Sequence, residues 1–216
     1  MIDGRAVLVT GMTGSGKTAW TIREVRARRG DWLVWDAAGE WSRRGLVRSV
    51  GSVQDLQALI VSNMKRARSG PLRVGYCGPL RDERLPINHP AQPFSIFCRL
   101  AWVWARFRPG ATVTVEELAD VSTPGKAPAA WGEMIRKGRH VSLALYAITQ
   151  RPAESDKTIV SNAAAIHCGQ MAFPRDRAYM AKCLGVPVRD IEGLRPLDWI
   201  ERDMRTLELR RGRVRF

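Results

Sequence analysis

The chain has 216 residues, of which 45 % are hydrophobic, enough for a packed α/β core and too many for default disorder. Its 35 Lys and Arg against 21 Asp and Glu give a formal net charge of +14. Such an excess suits a polyanionic partner, nucleic acid foremost, with a solvated basic surface as the alternative.

Residues 6–10 (AVLVT) are a short apolar run bounded by glycine and predict a buried first strand. A helix follows over 17–28, closed by Gly30. Residues 32–36 (WLVWD) predict a second strand, and Ser52 opens a helix patterned SVQDLQALIVSNMKRA with a Ser-x-x-Asp capping box. Residues 72–76 predict a strand, 77–93 a loop rich in turn formers, and 94–107 a helix. The strand 112–115 (TVTV) runs into Glu116 and Glu117, and 122–127 is loop. A helix at 129–137 precedes the apolar run 143–148, then a strand at 163–168 and a helix at 176–184. The tail from Trp199 alternates apolar and charged residues and predicts a β-hairpin carrying Arg210, Arg211, Arg213 and Arg215. Strands alternating with helices define an α/β fold with a mostly parallel sheet. One domain is expected over 1–216, with its core at about 5–170 and a C-terminal helix and basic hairpin over 174–216.

Cys77, Cys98, Cys168 and Cys183 form no CxxC pair, and His89, His140 and His167 are isolated, so neither a zinc site nor a disulfide framework is indicated. Reduced thiols inside a cell fit better. His167 next to Cys168 reads as a strand pair rather than a ligand pair. The N-terminus has charges where a signal peptide needs an apolar run, and no stretch reaches the ~20 apolar residues of a membrane span.

GMTGSGKT, from Gly11 through Met12, Thr13, Gly14, Ser15, Gly16 and Lys17 to Thr18, fits G-x-x-x-x-G-K-[ST] at every fixed position, between a strand and a helix. Its glycines let successive backbone N–H groups face phosphate oxygens, and the helix adds its positive end. Lys17 is placed to reach the β- and γ-phosphates and Thr18 to bind Mg²⁺, so ATP and Mg²⁺ are the expected cofactors. Hydrolysis needs acids at the end of a later strand. Glu116 is the candidate on the Mg²⁺ side and Glu117 the candidate general base; capping of the following helix is a compatible alternative. Asp120 is a weaker acid candidate. The strand 143–148 ends in Thr149, Gln150, Arg151 and Pro152. Pro152 alone would explain termination. At the carboxyl edge of a parallel sheet, however, Gln150 can donate to a phosphate and accept from a water at once.

GMTGSGKT, VTVEE and ITQRP together resemble the FtsK–HerA family of DNA-pumping ATPases. WDAAGEW (35–41), RKGRHVSLALYAITQRP and SDKTIVSNA (155–163) extend the resemblance over roughly 5–170. Within that family the chain is similar to the genome-packaging ATPases of tailless, membrane-containing icosahedral viruses. The resemblance implies a RecA-like P-loop NTPase fold, ATP hydrolysis, and double-stranded DNA driven through a homo-oligomeric ring, a hexamer being one option. It implies a host-cytoplasmic motor, docked in some cases to portal or membrane-vertex proteins of a virion. Lys17, Thr18, Glu117 and Gln150 match the family's motif positions. Arg139 matches an Arg that reaches the neighbouring subunit's nucleotide, with Arg136 one helical turn away as its rival. The family has Asp where this chain has Glu116, a methylene longer.

Rival readings are an ATPase for DNA export or conjugative transfer, and a small-molecule or nucleotide kinase with the Arg-rich tail as a lid. DNA-gripping candidates are the Arg81–Arg84 loop, the loop with Lys126, and the hairpin. Trp102 and Trp104 read as packing, and Trp131 and Trp199 as subunit-contact candidates.

Overall fold

The computed structural model describes residues 4–66, 70–125 and 127–215; Lys126 lies outside them. Seven strands run parallel: β1 (Ala6–Thr10), β2 (Trp32–Trp35), β3 (Arg48–Val50), β4 (Arg73–Tyr76), β5 (Thr112–Val115), β6 (Ala144–Thr149) and β7 (Ala165–Gly169). The antiparallel strands β8 (Asp198–Asp203) and β9 (Leu209–Arg213) extend the sheet beyond β7. The order is β3-β4-β2-β5-β6-β1-β7-β8-β9. β6 therefore stands between the strand that leads into GMTGSGKT and the strand that ends in Glu116–Glu117. All three deliver their carboxyl ends to one edge, where ligands bind in parallel α/β sheets.

The central strands are buried on both faces because helices cover both. Val7 and Val9 of β1 meet Trp20 and Val25 of α1 (Lys17–Arg28), whereas Leu8 points to the other side. That other side is covered by α3 (Val53–Lys65), α4 (Pro93–Phe107), α6 (Ala129–Lys137), α7 (Lys157–Asn162), α8 (Pro174–Leu184) and α9 (Val188–Glu192). The short α2 (Glu40–Arg43) adds Trp41 to the α1 face, and α5 (Leu118–Val121) follows β5 directly. The capping box at Ser52 is present: Asp55 N–H donates to Ser52 Oγ at 3.0 Å, and that hydroxyl donates to the Asp55 carboxylate at 2.7 Å.

The structure adds α2, β3, α5, α7 and α9 to the elements expected from sequence; each is six residues or shorter, too brief for a periodic pattern to register. Trp131 is corrected from a subunit-contact candidate to core: it is fully buried, and its indole N–H donates to the buried Asp156 carboxylate at 3.1 Å. Trp104 is buried and Trp102 half-buried against the same core, as expected. His167 and Cys168 face opposite sides of β7, the imidazole stacking on Trp20 at 4.0 Å. Among the described residues no helix is long and apolar enough to cross a membrane.

Candidate active site

α1 starts without a side-chain cap, at Gly16 in the left-handed region (φ 86°), so its first N–H groups are left for a ligand. The loop before it is held by two backbone bonds: Met12 N–H donates to Gln170 O at 2.7 Å and Ser15 N–H to Met12 O at 3.1 Å. Gly14, also left-handed at φ 80°, has open space where a Cβ would be. Lys17 Nζ lies 3.3 Å from Met12 O, folded over the loop. Burial pushes its ammonium pKa down, while Glu117, Glu116 and Glu40 pull it up. This loop lines a cavity of about 550 Å³, opposite Glu40, Glu116, Glu117, Asp120 and Gln150.

The two acids after β5 occupy different environments. Glu116 is 7 % exposed and accepts the Trp41 indole N–H at 3.0 Å. Burial is the main reason that its carboxyl is pushed up to about 7, with Glu40 and Asp36 adding to the rise and hydrogen bonds from Trp41 and Thr18 opposing it. Trp41 is placed there by Asp36. That buried carboxylate accepts the N–H groups of Trp41 (3.1 Å) and Ser42 (2.9 Å) and so holds the start of α2.

Glu117 takes a left-handed backbone conformation (φ 46°, ψ 67°), an arrangement that costs a non-glycine residue about 1 kcal/mol or more. The register sets its partners. Val115 is opposite Ala147, so Glu117 arrives opposite Thr149. Its Oε1 accepts the Thr149 hydroxyl at 2.9 Å and the Gln150 backbone N–H at 3.1 Å. Thr149 in turn contacts Ser155 Oγ at 3.0 Å. The Gln150 side-chain oxygen accepts the Thr13 hydroxyl at 2.8 Å, tying the end of β6 to the phosphate-binding loop.

Lys17, Thr18, Glu116, Glu117 and Gln150 are thus gathered around one cavity. Arg139 is not with them. It lies just ahead of β6, at the amino edge of the sheet, roughly 20 Å away by the six-residue length of that strand. There it lines a second cavity of about 330 Å³ with Arg5, Arg136 and Arg205. The sequence reading missed Trp41 and Arg44; the latter lines the first cavity and pairs with Glu40 at 2.6 Å. The run DAAGEW carried the signal for Trp41, but the contact with Glu116 spans 75 positions and is invisible in a linear pattern.

A residue set of this kind suits Mg²⁺. Glu40 and Asp36 both raise the proton affinity of Glu116, a local excess of negative charge on hard oxygen donors. Among the described residues no three His, Cys, Asp or Glu side chains form a complete metal cage.

A phosphate-binding loop on β1, an acidic pair at the end of β5 and a polar strand end between them define a P-loop NTPase of the α/β class. The chain belongs to the family of protein P9 from Pseudoalteromonas phage PM2, to which it is 33 % identical over 187 residues, covering 87 % of this chain and 78 % of that protein. No family model matches it. Among solved structures it resembles the genome-packaging NTPase B204 from Sulfolobus turreted icosahedral virus 2, in complex with AMPPCP, at a TM-score of 0.73, 16 % identity and 97 % coverage of both chains. It also resembles the pCW3 conjugation coupling protein TcpA, at a TM-score of 0.55 and 13 % identity over 98 % of this chain and 60 % of that one.

Proposed function

We propose that this chain is the ATPase of a viral genome-packaging machine, hydrolysing ATP to ADP and phosphate to drive double-stranded DNA. One observation carries the catalytic half of the reading. Glu117, on a strained backbone, has one carboxylate oxygen engaged by Thr149 and Gln150 and faces the same cavity as Lys17. A carboxylate held this way is a base for a water, not a helix cap; it makes no side-chain capping bond. The packaging half is supported by the likeness to B204 and by the charge of +14.

In this reading Gly11 to Thr18 cradle the triphosphate, and Lys17 neutralises its terminal phosphates. Thr18 and Glu116 would hold Mg²⁺, which when bound supplies charge stabilisation to the phosphoryl oxygens. Glu117 takes a proton from the attacking water. Gln150, latched to Thr13, reads whether the last phosphate is present. Arg139 acts on the nucleotide of an adjacent copy in a ring, because its own nucleotide cavity lies at the opposite edge. Three arginines of the hairpin are already paired within the chain, Arg210 with Glu208, Arg211 with Asp190 and Arg213 with Asp198. Arg84 of the Arg81–Arg84 loop is likewise paired, with Asp82, so DNA contact is assigned first to the exposed Arg81 of that loop.

Steady-state ATP hydrolysis with and without long duplex DNA, at two salt concentrations, tests the proposal. Stimulation by duplex that fades at higher salt is expected of a motor that grips phosphates. Robust hydrolysis indifferent to nucleic acid would overturn the packaging reading and favour a small-molecule substrate.

A further inference from the structure

The cavity between the phosphate-binding loop and Glu117 suits the charged end of a nucleotide, and among the described residues no aromatic side chain lines it for a base. Glu116 and Glu117 fix the terminal phosphate on the β5–β6 side of the loop. A triphosphate is a linear chain cradled along its length, so its nucleoside leaves on the other side of β1, toward β7, β8 and β9.

The C-terminal hairpin meets it there. β8 runs antiparallel to β7, so the start of β8 and the end of β9 both lie at the carboxyl edge. Leu197 and Val214, which flank the hairpin, press on Gly16. A methyl group at Gly16 would come within 2.9 Å of Val214 Cγ2 and 3.1 Å of Leu197 Cδ2. Leu197 has φ 73°, a left-handed conformation that a leucine adopts only where its surroundings hold it. The holding bonds are present: Val214 N–H donates to Leu197 O at 2.9 Å, Arg213 to the Asp198 carboxylate at 2.8 Å, and Arg195 N–H to the same carboxylate at 3.3 Å. Arg215, the next residue, is exposed and follows Val214 directly in the chain.

We propose that the ends of the hairpin form the nucleoside-binding face of the site, with Leu197 and Val214 as apolar support beside Gly16 and Arg215 over the base or ribose. This rests on the NTPase reading above. A planar guanidinium stacks on a heterocycle and stays charged at every working pH. Recognition of the base is thereby assigned to the last residues of the chain, and recognition of the phosphates to its first twenty.

Binding of Mg²⁺–ATP and of Mg²⁺–tripolyphosphate to the wild-type chain, Leu197→Gly and Arg215→Ala tests the assignment. Glycine keeps the left-handed backbone while deleting the side chain, and Arg215 is a surface position, so both variants retain the fold. The expected result is an ATP Kd weaker by about tenfold in each variant, with tripolyphosphate within about twofold of wild type. Unchanged ATP affinity in both variants overturns the proposal. Equal weakening of ATP and tripolyphosphate also overturns it, because the hairpin would then only shape the phosphate loop. A wild-type chain that binds neither ligand contradicts the NTPase reading itself, a distinguishable failure.

Discussion

At the carboxyl edge of the sheet, Glu40, Glu116 and Glu117 surround Lys17 and a cavity shaped for phosphates. At the amino edge, roughly 20 Å away, Arg5, Arg136, Arg139 and Arg205 surround a smaller cavity that, among the described residues, no carboxylate lines. In the reading proposed above, neither edge alone is complete for hydrolysis. The first can hold a cation, a nucleotide and a water, but Arg44, the arginine lining it, is paired with Glu40. The second would supply the arginine for a transferring phosphoryl group, and among the described residues no carboxylate or histidine lines it. Parallel strands deliver all their carboxyl ends to one side, so one copy of such a fold cannot bring the two edges together. A head-to-tail assembly can, because it sets one surface of a subunit against a different surface of the next.

Six substitutions, two of them controls, and one titration would break or sharpen this contrast. Glu117→Gln removes the base and keeps the shape; turnover should fall by about 10⁴-fold with ATP binding retained, as read by steady-state hydrolysis beside equilibrium binding. Arg139→Ala should lower turnover by about 10³-fold in the assembled protein and leave ATP affinity of the dilute chain unchanged. Arg136→Ala is the control for its rival, and an equal loss there would move the assignment one helical turn.

The Glu116 carboxyl, held near 7 by burial against an ordinary value of 4.5, binds its proton more tightly in the folded than in the unfolded chain. Between those values the native state carries more protons, so stability of the metal-free protein should fall as pH rises from about 4.5 through 7. Thermal melting across that range should show the fall, and Glu116→Gln should flatten it. Trp131→Phe strips the indole donor from buried Asp156 and should cost about 1–3 kcal/mol in denaturant unfolding without moving ATP affinity. Thr149→Val, which removes one of two hydrogen bonds to Glu117 Oε1, should slow hydrolysis by about tenfold while leaving ATP affinity within about twofold, since the carboxylate is less firmly oriented.

Much of the carboxyl edge was legible in the sequence because its chemistry is written in contiguous runs. GMTGSGKT is local in sequence and local in space, and the four-residue strand TVTV leaves little freedom in where Glu116 and Glu117 emerge. Gln150 was legible for the same reason, as the first residue past a buried strand. What stayed hidden was long-range. The indole of Trp41 reaches Glu116 across 75 positions, and Thr149 reaches Glu117 across 32. The closure of Leu197 and Val214 on Gly16 depends on β8 and β9 joining the sheet beyond β7, which no pattern within the hairpin announces. The tail did announce a hairpin, from its alternation of apolar and charged residues. Trp131 misled because an exposed-looking AAWGEM run gives no hint of Asp156, its partner in the core.

The central claim, that one working site takes its phosphate loop from one copy and its arginine from the next, is tested most directly by mixing two dead variants. Lys17→Ala keeps Arg139, and Arg139→Ala keeps Lys17. Each should be inactive alone. Mixed in equal amounts and allowed to exchange, about a quarter of the sites in a ring would pair an intact loop with an intact arginine, and hydrolysis should return to about that fraction of wild type. A mixture as inactive as its parts, under conditions where the two chains demonstrably co-assemble, would contradict the account.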